Sequence, residues 1–64
     1  MDVEVEALQE ARTAIHEVLA TSHPIELKPR NAYLRRLQHK LANQSQLSSE
    51  SIGADPFRRV RISK

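Results

Sequence analysis

The first twenty positions carry apolar residues at the spacing of an amphipathic helix. Between Val3 and Ala20 they recur every three or four residues, which places them on one helix face. The members of this stripe are Val5, Leu8, Ala11, Ile15, Val18 and Leu19. The residues on the exposed side are Glu10, Arg12, His16 and Glu17. Asp2 is suited to cap the helix, and the segment 21–24, which closes on Pro24, should end it.

A second helix is predicted from the cap residue Asn31 to about Asn43. One line of its helical wheel is apolar, and we expect this line to dock on the rest of the domain; it holds Leu34, Leu37 and Leu41. The opposite side is basic and holds Arg35, Arg36, His39 and Lys40. Arg35 and His39 are four residues apart and are therefore neighbours on the helix surface.

Three short strands are predicted from alternation of apolar and polar residues. They cover Ile25–Leu27, Leu47–Ile52 and Phe57–Ser63. Residues 53–56 (Gly-Ala-Asp-Pro) have turn composition, so the last two strands should form a hairpin. One face of the last strand presents Val60 and Ile62, and the other presents Arg59 and Arg61.

The order helix, strand, helix, strand, strand predicts an α+β fold. Its simplest form is a two-layer domain, with both helices packed on one face of a three-stranded antiparallel sheet. A chain of 64 residues with no internal repeat or long linker is expected to form one domain, residues 1–64, and to be a monomer in isolation.

Several classes of protein are excluded by composition. The chain has no cysteine, which excludes disulfide scaffolds and thiolate zinc sites. A single glycine cannot supply the phosphate-binding loops of nucleotide or dinucleotide sites. The three histidines lack metal-ligand spacing, and the serines of residues 45–51 are expected to have no neighbouring base. We therefore expect no catalytic residue, no metal and no cofactor.

Charge is divided unevenly along the chain, although the net charge is only +2. Residues 1–27 hold six acidic residues and one basic residue, whereas residues 28–64 hold nine basic residues and two acidic ones. The chain thus has an acidic helical part (1–24) and a basic part (25–64), and the basic part suits a polyanionic partner. No apolar run is long enough to span a bilayer, so no membrane partner is expected.

Residues 27–62 resemble the family named for an Arg and a His separated by three residues, the R-three-H domain. Arg35 and His39 match the defining pair. The surrounding matches are Pro29-Arg30-Asn31-Ala32-Tyr33 before the pair, and Ser49-Glu50-Ser51, Gly53, Pro56 and Arg58-Arg59-Val60-Arg61-Ile62 after it. Two departures occur: Ala54-Asp55 replaces a pair that is usually acidic at both positions, and Phe57 stands where a polar residue is usual.

The resemblance implies binding of single-stranded DNA or RNA on a three-stranded sheet with two helices on one side. Within the family, the chain is similar to the C-terminal domain of an AAA-type ATPase of cyanobacteria and plastids, and next to the RNA-binding Jag proteins of bacteria. This similarity is compatible with a domain of a longer protein as well as with a separate protein. The acidic start lacks the basic and hydrophobic regions of a secretory signal, so we expect the cytoplasm or, in a plastid-bearing organism, the stroma.

The expected binding residues fall in two clusters. Arg35 and His39 would contact phosphate and base, and Arg36 and Lys40 would add positive potential beside them. The second cluster is Arg58, Arg59 and Arg61. It could track phosphates, or its charges could protect the sheet from aggregation, and both interpretations stay open.

Only two aromatic residues, Tyr33 and Phe57, could stack on bases, so charge should dominate the affinity. An alternative is a protein-interaction or regulatory domain of a larger ATPase, with the acidic helix as the contact surface through Glu10 and Glu17. A reader of duplex RNA shape is a further alternative.

Overall fold

The computed structural model describes residues 2–64 and confirms the predicted order of helices and strands. The elements in chain order are α1 (Val3–Thr21), β1 (Ile25–Glu26), α2 (Ala32–Gln44), β2 (Ser48–Ile52) and β3 (Arg59–Ser63). The strands are shorter than predicted, because Leu27, Leu47 and Phe57 lie outside them. Leu27 still donates its N–H to the carbonyl of Val60 at 2.8 Å, just beyond the end of β1.

The three strands form an antiparallel sheet in which β3 is central, with the order β1-β3-β2. Ile62 lies opposite Ile25 on one side and Ser49 on the other, while Ser51 lies opposite Val60. Directly paired residues project to the same side of a sheet. Side chains of these five residues therefore face the helices, and those of the alternate positions form an open outer face.

Helix α1 begins after its predicted cap, Asp2, and ends at Thr21, inside the segment predicted to end it. The Asp2 carboxylate accepts the N–H of Glu4 at 2.8 Å, and Ser22 takes a left-handed conformation (φ 65°) in which its N–H donates to Val18. The predicted apolar stripe is wrong at two positions, since Val5 and Leu19 are 44% and 49% exposed. The side chains that α1 buries are Ala7, Ala11, Ala14, Ile15 and Val18.

The buried face of α1 is rotated relative to the predicted stripe, and it is rich in alanine. The small alanine side chains let α2 approach the α1 backbone, and Gln38 donates its Nε2 to the carbonyl of Ala7 at 3.1 Å. Gln38 is fully buried, whereas Leu37 and Leu41 of the predicted docking line are only half-buried. Of that line, only Leu34 is fully inside. The buried face of α2 thus includes an amide that bonds to the α1 backbone, and it differs from the leucine line predicted by periodicity.

The apolar core lies between the two helices and the helix-facing side of β3. It consists of Ala11, Ala14, Ile15, Val18, Leu27, Ala42, Leu47, Val60 and Ile62. None of the described helices is long and apolar enough to cross a membrane.

A polar network joins α1 to the segment between β1 and α2. Arg30 donates its Nη2 to Glu6 at 3.3 Å and to Glu10 at 3.2 Å, and its side chain is only 10% exposed. Glu10 also accepts the backbone N–H of Lys28 at 2.9 Å and lies 3.5 Å from the Gln38 amide. The prediction that Glu10 is a surface residue is therefore wrong, because three groups from the basic part of the chain converge on its carboxylate.

The turn between β2 and β3 requires glycine at position 53. Gly53 has a φ of 84°, and a Cβ there would lie 2.8 Å from Nη1 of Arg59. Arg58 donates to the Gly53 carbonyl at 2.8 Å, and Arg59 donates to the Phe57 carbonyl at 3.1 Å. Two arginines that were predicted as ligand contacts thus also hold the turn in shape.

Candidate nucleic-acid interface

Arg35 projects from the first turns of α2 and is fixed by the backbone before the helix. Asn31 caps α2, its side chain accepting the N–H of Leu34 at 3.0 Å. Nη1 of Arg35 donates to the carbonyl of Arg30 at 2.6 Å. A guanidinium carries further N–H donors in a rigid fork, so this single bond orients the group and leaves donors for a ligand.

His39 lies one helical turn beyond Arg35, between α2 and β2. Its Nδ1 is 2.7 Å from Oγ of Ser49, and its Nε2 is 2.9 Å from Oγ of Ser51. The expectation that the serines of residues 45–51 have no base nearby is therefore wrong. Alternation along β2 turns Ser49 and Ser51 to the helix-facing side, and the packing of α2 on β2 brings the ring of His39 between them.

The His39 pKa is lowered by burial of its ring and, to a smaller extent, by the positive charge of Arg35. The folded domain consequently favours the neutral imidazole. A neutral imidazole has one N–H donor and one acceptor nitrogen, so one of the two serines accepts from the ring and the other donates to it.

This lowered pKa predicts that acid destabilises the fold through His39. The pKa of His39 in the folded state lies below the unfolded value of about 6.5. The contribution of the neutral ring to the free energy of unfolding is therefore fully present above that pH, and it is lost as the pH falls through the folded pKa. Urea unfolding at several values between about pH 7.5 and about pH 5 should show the midpoint falling with acidity.

The matched variants separate this effect from titration elsewhere. His39→Gln should flatten the pH dependence in that window, whereas His16→Gln, at an exposed site on α1, should leave it as in the wild type. An unchanged slope in His39→Gln would contradict the assignment.

We refer to Arg35, Arg36, His39 and Lys40 together as the α2 basic face. Arg36 and Lys40 are exposed, and α2 contains no acidic residue. Among residues 2–64, the ion pairs involve Arg30, Arg59 and Arg61, and none involves the α2 basic face. This surface therefore keeps its positive charge available to an anion.

The arginines of β3 lie elsewhere, on the outer face of the sheet. Nε of Arg59 is 2.8 Å from Glu26 on β1, and Nη1 of Arg61 is 3.4 Å from Glu50 on β2. The sheet separates these two arginines from the helices, so Arg59 and Arg61 do not share one groove with the α2 basic face. Because each already has a carboxylate partner at an exposed site, the field they present to a polyanion is reduced. Arg58 precedes β3, and its backbone carbonyl accepts the N–H of Arg30 at 3.3 Å.

Tyr33 forms a hydrogen bond within the domain, whereas the ring of Phe57 is largely exposed. Tyr33 donates its hydroxyl to Glu4 at 2.9 Å, and this bond together with the Glu4 charge raises the Tyr33 pKa. Phe57 is 67% exposed and lies in the turn before β3. Between the β2–β3 hairpin and the segment before α2 lies a groove of about 340 Å³, lined by Pro29, Arg30, Asn31, Asp55 and Pro56.

A family model for the R-three-H domain matches residues 6–64, and the chain belongs to that family, whose members generally bind nucleic acid. The chain is also similar to the uncharacterized protein ycf45 of Porphyra purpurea. The two are 43% identical over 60 residues, a stretch that covers 92% of this chain and 11% of the relative. The chain thus spans about a ninth of the length of the curated relative that it matches.

Sequence reasoning placed the α2 basic face on one helix but assigned no role in the site to the groups that support it. Four residues contact or orient a residue of the candidate site or its helix, namely Arg30, Gln38, Ser49 and Ser51. The serines had a detectable signal, since they occupy two alternate positions of a predicted strand. Nothing in the local sequence marks Gln38 as buried.

Proposed function

We propose that this domain binds single-stranded nucleic acid, DNA or RNA, without catalysing a reaction, and that the α2 basic face is its main contact surface. The supporting observation is a contrast between two sets of cations. The arginines of β3 pair with Glu26 and Glu50, whereas Arg35, Arg36 and Lys40 have no ion-pair partner within residues 2–64. Phosphate is the common anion of both nucleic acids and is the group that such a surface attracts.

A single strand suits this surface better than a duplex. The basic residues span little more than one turn of one helix, and the domain measures only 28 × 25 × 16 Å. Phe57 is largely exposed and has an apolar ring available for stacking. Only unpaired bases can stack on a protein side chain, because the bases of a duplex already stack on each other.

Titration of a labelled oligonucleotide at several salt concentrations tests this function. A single strand releases about 0.7 counterions per phosphate neutralised, so three cations predict a slope of about −2 in a plot of log affinity against log salt. A matched duplex should bind more weakly. Affinity that ignores salt, or equal affinity for duplex and single strand, would contradict the proposal.

Docking of α1 on another protein surface is the second candidate function. Val3, Val5 and Leu19 are apolar residues of α1 that remain 44% to 59% exposed. Glu4, Glu6 and Glu10 are occupied by contacts within the domain, so the acidic residues of α1 support this candidate less than its apolar residues do.

We further propose that the domain is the nucleic-acid-binding part of a longer ATPase, located in the cytoplasm or in a plastid stroma. Support comes from the resemblance to the C-terminal domain of AAA-type ATPases and from the small share of the relative that this chain covers. The 64 residues contain no nucleotide-binding motif, so hydrolysis would take place in another domain.

A further inference from the structure

We propose that the hydroxyl groups of Ser49 and Ser51 bind a phosphate of the nucleic acid, and that His39 is the positioning residue that holds them. The inference rests on the proposed function and assigns a second set of contacts to the same site. It also gives His39 a role that differs from direct contact with the ligand.

The ring of His39 has no nitrogen left for a ligand. Both nitrogens lie within 2.7 to 2.9 Å of a serine hydroxyl, and each ring nitrogen forms one such bond in the ring plane. His39 therefore acts on a ligand through Ser49 and Ser51, which have their own hydrogen-bonding capacity to offer.

These two serines are unusual for the side of the sheet that they occupy. The other helix-facing residues in register with them are apolar, namely Ile25, Val60 and Ile62. Ser49 and Ser51 are partly exposed, because β2 is an edge strand and β3 covers it on one side only. The two serines thus lie along a partly exposed seam between α2 and β2, which is the side from which an anion would approach them.

Arg35 places a positive charge beside this seam. It is one turn from His39 on the same helix, at a distance of about 6 Å between Cβ atoms. The Arg35 charge acts on the His39 ring, where it lowers the pKa, so it also attracts a phosphate bound at the seam, although its Nη1 is held by the Arg30 carbonyl. Phosphate oxygens only accept hydrogen bonds, and hydroxyl groups together with Arg are their common protein donors.

The hydrogens of the three side chains determine what the site can donate. With a neutral ring, the serine that accepts from the imidazole N–H keeps its own hydrogen for the ligand, while the other serine spends its hydrogen on the ring. If the ring takes up a proton, both of its nitrogens donate and both hydroxyls become free. Phosphate binding and protonation of His39 should therefore favour each other.

The charged groups around the ring set the direction of this coupling. Arg35 on the same helix opposes protonation in the free domain. Glu50 of β2 projects to the outer face and pairs with Arg61, and the β3 residues that face the helices, Val60 and Ile62, are uncharged. A bound phosphate would be the nearest negative charge, so affinity should rise as pH falls from about 7.5 to about 6.

Anisotropy titration of a labelled single-stranded oligonucleotide against serine variants tests the proposal. The double variant Ser49→Ala/Ser51→Ala should weaken binding about 10-fold and lose most of the pH dependence. The matched control Ser48→Ala/Ser63→Ala removes two hydroxyls from the outer face and should bind as the wild type does. His39→Gln should weaken binding and also lose the pH dependence, and amide spectra should show each variant folded.

Neutral methylphosphonate linkages, introduced one at a time, distinguish phosphate from base contacts. When the linkage that the serines bind is the neutral one, the wild type has already lost this contact. The double variant should then bind that oligonucleotide about as tightly as the wild type does. If the loss is the same at every linkage, or if the folded double variant binds as the wild type does, the serines do not contact phosphate and the proposal is overturned. Failure of the wild type to bind any oligonucleotide would instead overturn the proposed function itself.

Discussion

Arg35→Ala is expected to weaken binding of a single-stranded oligonucleotide by about 10- to 100-fold while the domain stays folded. A hydrogen bond to a charged group contributes roughly 1.5–3 kcal/mol, and the Arg35 fork can donate more than one to a phosphate. The variant also loses the bond to the Arg30 carbonyl, but that carbonyl lies in a loop and can bond to water.

The control and the conservative variant make this test specific. Arg12→Ala removes the same side chain from an exposed site on α1 and should change the affinity little. Arg35→Lys keeps the charge but loses the planar fork, so it should bind with intermediate affinity. Equal losses in Arg35→Ala and Arg12→Ala would show that only net charge matters and would remove Arg35 from the site.

Glu10→Ala is expected to lower the free energy of unfolding by about 2–4 kcal/mol. The substitution leaves the Arg30 side chain, which is only 10% exposed, without its nearer carboxylate, and it removes the acceptor of the Lys28 N–H. A domain of this length has a total stability of roughly 3–10 kcal/mol, so the substitution should remove a large fraction of it.

Denaturant unfolding of Glu10→Ala beside Glu17→Ala measures this effect. Glu17 is an exposed acid on the same helix, and its replacement should change stability by no more than about 0.5 kcal/mol. If the two variants are equally stable, the carboxylate of Glu10 is not a structural group. The same result bears on the alternative function, because charge reversal at Glu10 would disturb any activity indirectly, by destabilising the domain.

Local patterns in the sequence predicted the elements and their order well. Periodicity located both helices to within a residue or so, and Asp2 and Asn31 cap them as expected. These features depend on neighbouring residues only. The basic side of α2 follows from the same periodicity, which is why the α2 basic face could be located without a structure.

Contacts between distant parts of the chain explain what the sequence did not predict. Glu10 and Arg30 are twenty residues apart, and their pairing depends on how α1 crosses the segment before α2. The partners of Arg59 and Arg61 depend on strand register, and the bonds of His39 depend on the packing of α2 against β2. The leucines of α2 outweigh Gln38 on any hydropathy scale, yet the structure buries Gln38, whose amide donates to the Ala7 carbonyl of the other helix.

The position of β3 has a consequence for how the domain acquires its structure. The central strand of the sheet is the final element in sequence, and β1 and β2 pair only with it. During synthesis from the N-terminus, the two helices can form early, but no strand can find its neighbour until residues 59–63 have left the ribosome. Completion of the sheet and of the seam beside His39 should therefore be a late and cooperative step of folding.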